Sequence, residues 1–332
     1  MSQGHRVSVL IPTHGRPAMV ARCVESLGRQ EGAPPFEVLV GIDGPDQGEG
    51  AAIERVRGGL DLRVEAGDRG GPAATRNRLI RMAWAPVLLL LNDDVTAAPD
   101  LVATHAREQE RLAADGRAAM VLGDAPFAVE TPDRLFDRLI RETSMVFFYD
   151  RMRGNPDPDH DWGFRHAWTL NLSVPTGLVR EVGGFCESLP GAAFEDIELA
   201  WRLRARYGVR VLHRTGARVT HHHRYEPSGY LEREESLGRD ALALAQANPV
   251  CAREVFGRDI ASHEEGVYSR EYVEREKSVA DAIRETFMRL AEMPPEAGDD
   301  PVILRALYEH HLPLKRWHWR VGLLRAIRGG SA

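Results

Sequence analysis

The sequence predicts an α/β fold: a doubly wound, mostly parallel sheet flanked by helices, with a C-terminal helical extension. Three observations carry this expectation. Short apolar runs alternate with amphipathic stretches through the first half of the chain. The run Val87-Leu88-Leu89-Leu90-Leu91 is apolar on successive residues, as a strand covered by helices on both faces should be. From about Pro227 onward the pattern is almost wholly helical. Strands alternating with helices build parallel sheets, and 332 residues suggest about two domains.

The elements follow in order. Residues 7–11 form a strand that stops at Pro12, and a helix runs from about Pro17 to Gln30, with proline near its start, where the missing N–H costs little. Residues 36–42 form a second strand, ended by Asp43-Gly44-Pro45, and a weak third lies over 62–65. Pro72 opens a helix to about Trp84, followed by the 87–91 strand. Beyond Asp124 the pattern is mixed, with strands over 168–174, 209–213 and 216–223 and a helix over 193–207. Prolines 249, 294, 295 and 313 should break the helical extension. The expected domains are 1–226 and 227–332.

Composition narrows the class. A chain 43% hydrophobic and 28% charged can bury a sizeable core. A net charge of −6 argues against nucleic acid as a partner. The longest apolar run, 86–91, is strand length, so no membrane-spanning helix is expected. The N-terminus lacks the pattern of a secretory leader, and Cys23, Cys186 and Cys251 make neither a disulfide framework nor a thiolate zinc site. A cytoplasmic location is expected.

In doubly wound sheets, ligands bind beyond the carboxyl ends of the strands. Those ends carry Pro12-Thr13-His14-Gly15-Arg16, Ile42-Asp43-Gly44 and Asn92-Asp93-Asp94-Val95. Aspartate is common in turns and at helix starts, and for Asp43 alone turn chemistry is the better account. The Asp93-Asp94 pair is harder to explain so. Adjacent like charges repel, and a hard divalent cation, Mg²⁺ or Mn²⁺, is the usual remedy.

These pieces resemble the family 2 glycosyltransferases of the GT-A fold, which transfer sugars from nucleotide-diphosphate donors. The matching segments are VSVLIPTHGRP near the start, VGIDG at 40–44, GGPAATRNRLI at 70–80, LLLLNDDV at 88–95, NLSVPTGLVREVGGF at 171–185 and FEDIELAWRL at 194–203. Each is weak alone; their shared order is strong. The resemblance implies that Thr13, Arg16, Asp43, Arg76 and Asp93 contact the nucleotide-sugar, and that Asp94 is the metal-coordinating carboxylate. Asn92 departs from the family pattern, where many members carry aspartate, and this shifts metal coordination onto Asp94.

Glu195-Asp196 opens a strongly helical segment, where acids already suit the helix dipole. The resemblance implies a general base in this pair, with Asp196 preferred and Glu195 as the alternative or an acceptor contact. In His221-His222-His223, His221 and His223 would share a strand face; a solvated strand end is the bland account. Family position favours His221 over His223 as a metal ligand. Trp162 and Trp168 lie in and beside a Gly/Pro/Asp-rich stretch and read first as core tryptophans, with sugar stacking as the alternative.

The expected function is therefore an inverting glycosyltransferase with a divalent metal on the diphosphate and an aspartate base. Its partners would be a nucleotide-diphosphate sugar and a glycan, lipid-linked or small-molecule acceptor. A sugar-phosphate nucleotidyltransferase would need a Gly-rich basic loop after the first strand, and PTHGRP is a poor version of one. A non-catalytic GT-A-like binding module is the other alternative. Residues 313–328 carry five basic residues and no acid, beside Trp317, Trp319, Leu323, Leu324 and Ile327. Such a helix could lie on an anionic membrane, giving peripheral attachment at its inner face; docking on the protein with solvated arginines carries slightly more weight. The extension could also supply homodimer contacts.

Overall fold

The computed structural model describes residues 4–189 and 191–329. The chain divides into two compact units: residues up to 126 together with 152–222, and residues 127–151 together with those from 223 onward. The 226/227 boundary expected from sequence places 127–151 in the first domain; this segment instead packs with the second. Its Leu135, Phe136, Leu139 and Ile140 enter a core with Tyr230, Ile283, Phe287 and Leu314.

The first unit begins β1 (Val7–Thr13), α1 (Pro17–Leu27), β2 (Phe36–Asp43), α2 (Glu49–Val56), β3 (Leu62–Gly67), α3 (Gly71–Met82) and β4 (Val87–Leu91). It continues through β5 (Val95–Ala97), α4 (Leu101–Ala114) and β6 (Ala119–Asp124). After α5 (Leu135–Glu142) and the short α6 (Tyr149–Met152), whose residues up to 151 belong to the second unit, come β7 (Asn171–Pro175), α7 (Thr176–Glu181), α8 (Glu195–Tyr207) and β8 (Arg210–His221). The strand order is β3-β2-β1-β4-β7-β6-β8-β5. β1, β2, β3 and β4 are parallel, whereas β7 runs antiparallel to both β4 and β6.

Register brings the chemistry to one edge. Thr13 pairs with Ile42, and β4 runs parallel to β1 with Leu90 opposite Leu10, so the turns after β1, β2 and β4 open on the same side. β5 pairs antiparallel with β8, Val95 opposite His221, which delivers that histidine to the residue after Asp94. The two strands expected over 209–213 and 216–223 are one strand with a register irregularity opposite Gly123/Asp124. The expectation omitted α2, α4, α5, α6, α7, β5 and β6. β5 has three residues and β6 is buried at every position, so neither shows a period.

A polar network fixes that irregularity. Asn171 Nδ2 donates to the carbonyls of Ala217 (2.9 Å) and Asp124 (3.2 Å), while its Oδ1 lies 2.9 Å from His105 Nε2. His105 Nδ1 is 2.9 Å from Ser173 Oγ. All three side chains are buried, and burial pushes the His105 pKa down to about 4, so it is neutral. A Cβ at Gly123 would lie 2.1 Å from Asn171 Nδ2, which explains the glycine.

The second unit adds α9 (Pro227–Ala247), α10 (Pro249–Phe256), α11 (His263–Arg275), α12 (Lys277–Ala291) and α13 (Pro301–Gly329). α13 runs through Pro313 without the expected break. A proline there removes one helical hydrogen bond, but Leu304, Leu314, Leu323 and Leu324 all bury along the same helix. The apolar residues a membrane-lying helix would use are thus largely consumed within the unit. Trp317 Nε1 donates to Val273 O at 3.0 Å, Arg320 pairs with Glu265 at 2.7 Å, and Arg325 pairs with Glu235. Among the described residues no helix is long and apolar enough to cross a membrane.

α9 and α13 approach closely because both crossing residues are glycines. A Cβ on Gly238 would lie 1.9 Å from Trp319 O, and one on Gly322 1.9 Å from Glu235 O. Gly238→Ala is expected to destabilise the protein by about 2 kcal/mol or more through overpacking against rigid backbone. Gly229→Ala in the same helix has no atom within 4 Å and should stabilise by about 0.5–1 kcal/mol. Urea denaturation of the two variants checks both signs.

Candidate active site

The site grows from the turn after β1. Gly15 takes φ +64°, a left-handed conformation natural to glycine, and its N–H donates to Glu49 Oε1 at 2.5 Å. Glu49 is fully buried, and its Oε2 also accepts the Gln47 N–H at 2.7 Å. His14 Nδ1 lies 2.7 Å from Asp43 O. The turn is thereby held open for Arg16, the residue before helix α1.

Arg16 reaches across to both aspartates after β4. Its Nη2 lies 2.9 Å from Asp93 Oδ1 and its Nη1 3.1 Å from Asp94 Oδ2. Thr13 Oγ1 donates to Asp93 Oδ2 at 2.7 Å. Both carboxylates are buried, whereas the Arg16 side chain is 45% exposed. Burial pushes the Asp93 pKa up to about 6; Arg16 and the Thr13 hydroxyl pull against that rise. Asp94 Oδ1 lies 3.5 Å from His221 Nε2. His222 Nε2 lies 2.9 Å from Thr96 Oγ1, and His223 packs edge-on against Tyr225 with ring centroids 4.2 Å apart. His222 also donates its backbone N–H to Asp94 O at 2.8 Å.

Among the described residues no cluster of three or more His, Cys, Asp or Glu could hold a metal by itself. Asp94 and His221 offer one hard oxygen and one imidazole, both buried. That donor set fits Mn²⁺ or Mg²⁺ when substrate oxygens complete the shell.

Asp43 acts on the start of α3. Its Oδ1 accepts the N–H groups of Gly70 (2.8 Å) and Gly71 (3.1 Å), and Thr75 Oγ1 approaches at 3.3 Å. The turn-and-cap account of Asp43 therefore has a physical basis whatever else it binds. Arg76 is 3% exposed and sits between two clusters: Nη1 donates to Glu195 Oε1 at 2.9 Å and Nη2 to Asn92 Oδ1 at 3.2 Å.

Glu195 and Asp196 differ. Glu195 is buried and ion-paired, and its Oε2 has no hydrogen bond. Asp196 is half-buried; its Oδ1 accepts the Ile197 N–H at 2.7 Å, and the Thr169 N–H also supports its carboxylate. Burial first, and the Glu195 charge second, raise the Asp196 pKa to about 7. Just before the pair, Phe194 has φ +71°, the one positive φ outside glycine among the described residues. Such a conformation costs about 1–3 kcal/mol and clusters at functional sites.

Several positioning residues were not singled out in the sequence, although Asn77 and the GGF loop lie in the matching segments. Asn77 Nδ2 donates to Phe185 O at 2.9 Å and Asn77 Oδ1 accepts the Phe185 N–H at 2.8 Å, pinning the GGF loop to α3. Arg202 donates to Val182 O and Gly184 O at 2.6 and 2.7 Å. Trp162 and Trp168 are half-buried, not core residues, and both make edge contacts with His166.

Residues 8–165 match the family described as glycosyl transferase family 2. The chain is 33% identical over 224 residues to validoxylamine A glucosyltransferase of Streptomyces hygroscopicus subsp. limoneus, covering 60% of this chain and 48% of that protein. It thus spans about half the length of this relative. The fold resembles the mannosyltransferase PcManGT from Pyrobaculum calidifontis in complex with GDP-Man and Mn²⁺, with TM-score 0.57, 16% identity and coverage of 97% and 87% of the two chains. It also resembles S. aureus TarS 1–349 in complex with UDP-GlcNAc, with TM-score 0.51, 15% identity and coverage of 98% and 92%.

Glu49→Gln tests the architecture of the first turn. One amide oxygen cannot replace two carboxylate oxygens in place, so the Gly15 or Gln47 N–H loses its protein partner at about 0.5–1.5 kcal/mol. Thermal unfolding should show that loss.

Proposed function

We propose that this chain, which carries a family 2 glycosyl transferase region over residues 8–165 on a GT-A fold, transfers a hexose from a nucleoside-diphosphate sugar to an acceptor hydroxyl with inversion. One observation carries the reading. Two carboxylate clusters with different environments, Asp93/Asp94 under Arg16 and Glu195/Asp196 at the start of α8, are joined through the buried Arg76. The relative named as a glucosyltransferase and neighbours holding GDP-Man with Mn²⁺ or UDP-GlcNAc support the donor class.

Each residue has a role that its surroundings suit. Asp94 and His221 would hold Mn²⁺ or Mg²⁺, which when bound stabilises charge on the departing nucleoside diphosphate. Thr13 fixes Asp93, and Arg16 fixes both aspartates. Asp43 orders the Gly70-Gly71 turn on the nucleotide side. Asp196 takes the proton of the acceptor hydroxyl as that oxygen attacks the anomeric carbon from the face opposite the leaving group; one displacement inverts the centre. Glu195 is the weaker candidate for base, because ionic contact with Arg76 already occupies it. A base with pKa near the working pH is efficient, and about 7 meets that condition. The nucleotidyltransferase alternative is disfavoured by a first turn with a single glycine, Thr13-His14-Gly15-Arg16.

The pH dependence has a definite sign. Asp196 must be ionised to accept a proton, so the rate should fall about tenfold per unit below pH 7 and level off above it. Turnover of UDP-glucose, GDP-glucose and GDP-mannose, with validoxylamine A as the acceptor probe, reads this profile. Asp196→Asn should lose about 10²–10⁴-fold in rate while still binding the nucleotide. Full activity in that variant would remove Asp196 from the role of base. NMR of the product should show the anomeric configuration opposite to the donor; retention would contradict a single displacement.

A further inference from the structure

We propose that Arg16 is an internal cation that gates the divalent-metal site, so that a metal enters together with a nucleoside diphosphate and binds poorly without one. The diphosphate half of this inference rests on the donor-site reading above; the internal-cation half does not.

Asp93 and Asp94 are adjacent, 1% and 5% exposed, and would repel each other if left alone. Arg16 spans the pair with two separate nitrogens, at 2.9 and 3.1 Å. A guanidinium is always charged and presents several donors in a rigid fork, so it can do for two carboxylates what a small cation does. The other oxygen of Asp93 is held by Thr13, and that of Asp94 faces His221. Arg16 therefore sits on Asp94 Oδ2, beside the Oδ1 that faces His221, and would act on a metal arriving there through its charge.

Charge decides the order of events. Two carboxylates and one guanidinium sum to −1. A divalent ion bound at Asp94 beside Arg16 would turn this into +1, with two cations in close contact. A diphosphate reverses that excess, and its oxygens are good bidentate partners for a guanidinium. Arg16 is suited to change partners because its side chain is 45% exposed, unlike the buried carboxylates it holds. Its backbone need not move: Gly15 is anchored on Glu49, and Pro17 opens α1.

The test is Mn²⁺ binding to the full chain, followed by electron paramagnetic resonance of free Mn²⁺, without nucleotide and with saturating UDP or GDP. Wild type should bind Mn²⁺ weakly alone and at least about tenfold more tightly with one nucleotide. Arg16→Gln should bind Mn²⁺ without nucleotide at least about tenfold more tightly than wild type, with Arg16→Lys between them. Asp94→Asn should abolish the site in every background. Equal or weaker nucleotide-free affinity in folded Arg16→Gln overturns the inference. If Arg16→Gln gains affinity but neither UDP nor GDP changes Mn²⁺ binding by wild type, the internal cation stands and the donor-site reading fails.

Discussion

The site depends on one buried cation. Arg76 leaves α3, lies 5.5 Å from the Phe185 ring, and places its two terminal nitrogens on Asn92 and Glu195. Asn92 immediately precedes Asp93-Asp94, and Glu195 is the first acid of the Glu195-Asp196 pair, so one guanidinium holds both clusters. Removing one partner of a buried ion pair leaves an uncompensated charge, at about 3–5 kcal/mol. Asn92 now has a physical reason. It accepts from Arg76 without adding a third negative charge beside Asp93 and Asp94, and the Arg76 charge is left to neutralise Glu195. That neutralisation in turn limits how far Glu195 raises the Asp196 pKa, which Arg76 also lowers directly.

Two cations thus divide the work. Arg76 is buried between Asn92 and Glu195, whereas Arg16 is half-exposed on the two aspartates of the proposed donor site. Strain follows the same division. The left-handed Phe194 directs Glu195 inward and leaves Asp196 half-exposed at the helix start. Acids there also suit the helix dipole, so the proposed base sits where a carboxylate is already stabilising.

The sheet edge was legible in the sequence because its signals are local: an apolar run, then a turn with a carboxylate. β1, β2, β4 and the start of α8 could be read in that way, and the family resemblance put names to their ends. The contacts that organise those ends were not legible. Arg76 and Glu195 are 119 residues apart, and Thr13 and Asp93 are 80 apart. Glu49 opens α2, a helix the sequence did not announce, and nothing in the sequence marked Phe194 as left-handed. Residues 127–151 showed no element in the sequence, and the core they enter is completed by residues from Tyr230 to Leu314. In α13 the basic residues suggested a membrane face; the acids that pair with them, Glu235 and Glu265, lie on other helices.

The central claim is that the edge formed by Thr13, Arg16, Asp43, Asp93 and Asp94 is a metal-assisted nucleoside-diphosphate site. Calorimetric titration of the full chain with UDP, GDP, CDP and dTDP, each with Mn²⁺ and with chelator, tests it most directly beside Asp94→Ala. One nucleotide should bind in the presence of Mn²⁺, weaken on chelation and be lost in the variant. Folded protein that binds none of the four, or binds one equally well in Asp94→Ala, would contradict it.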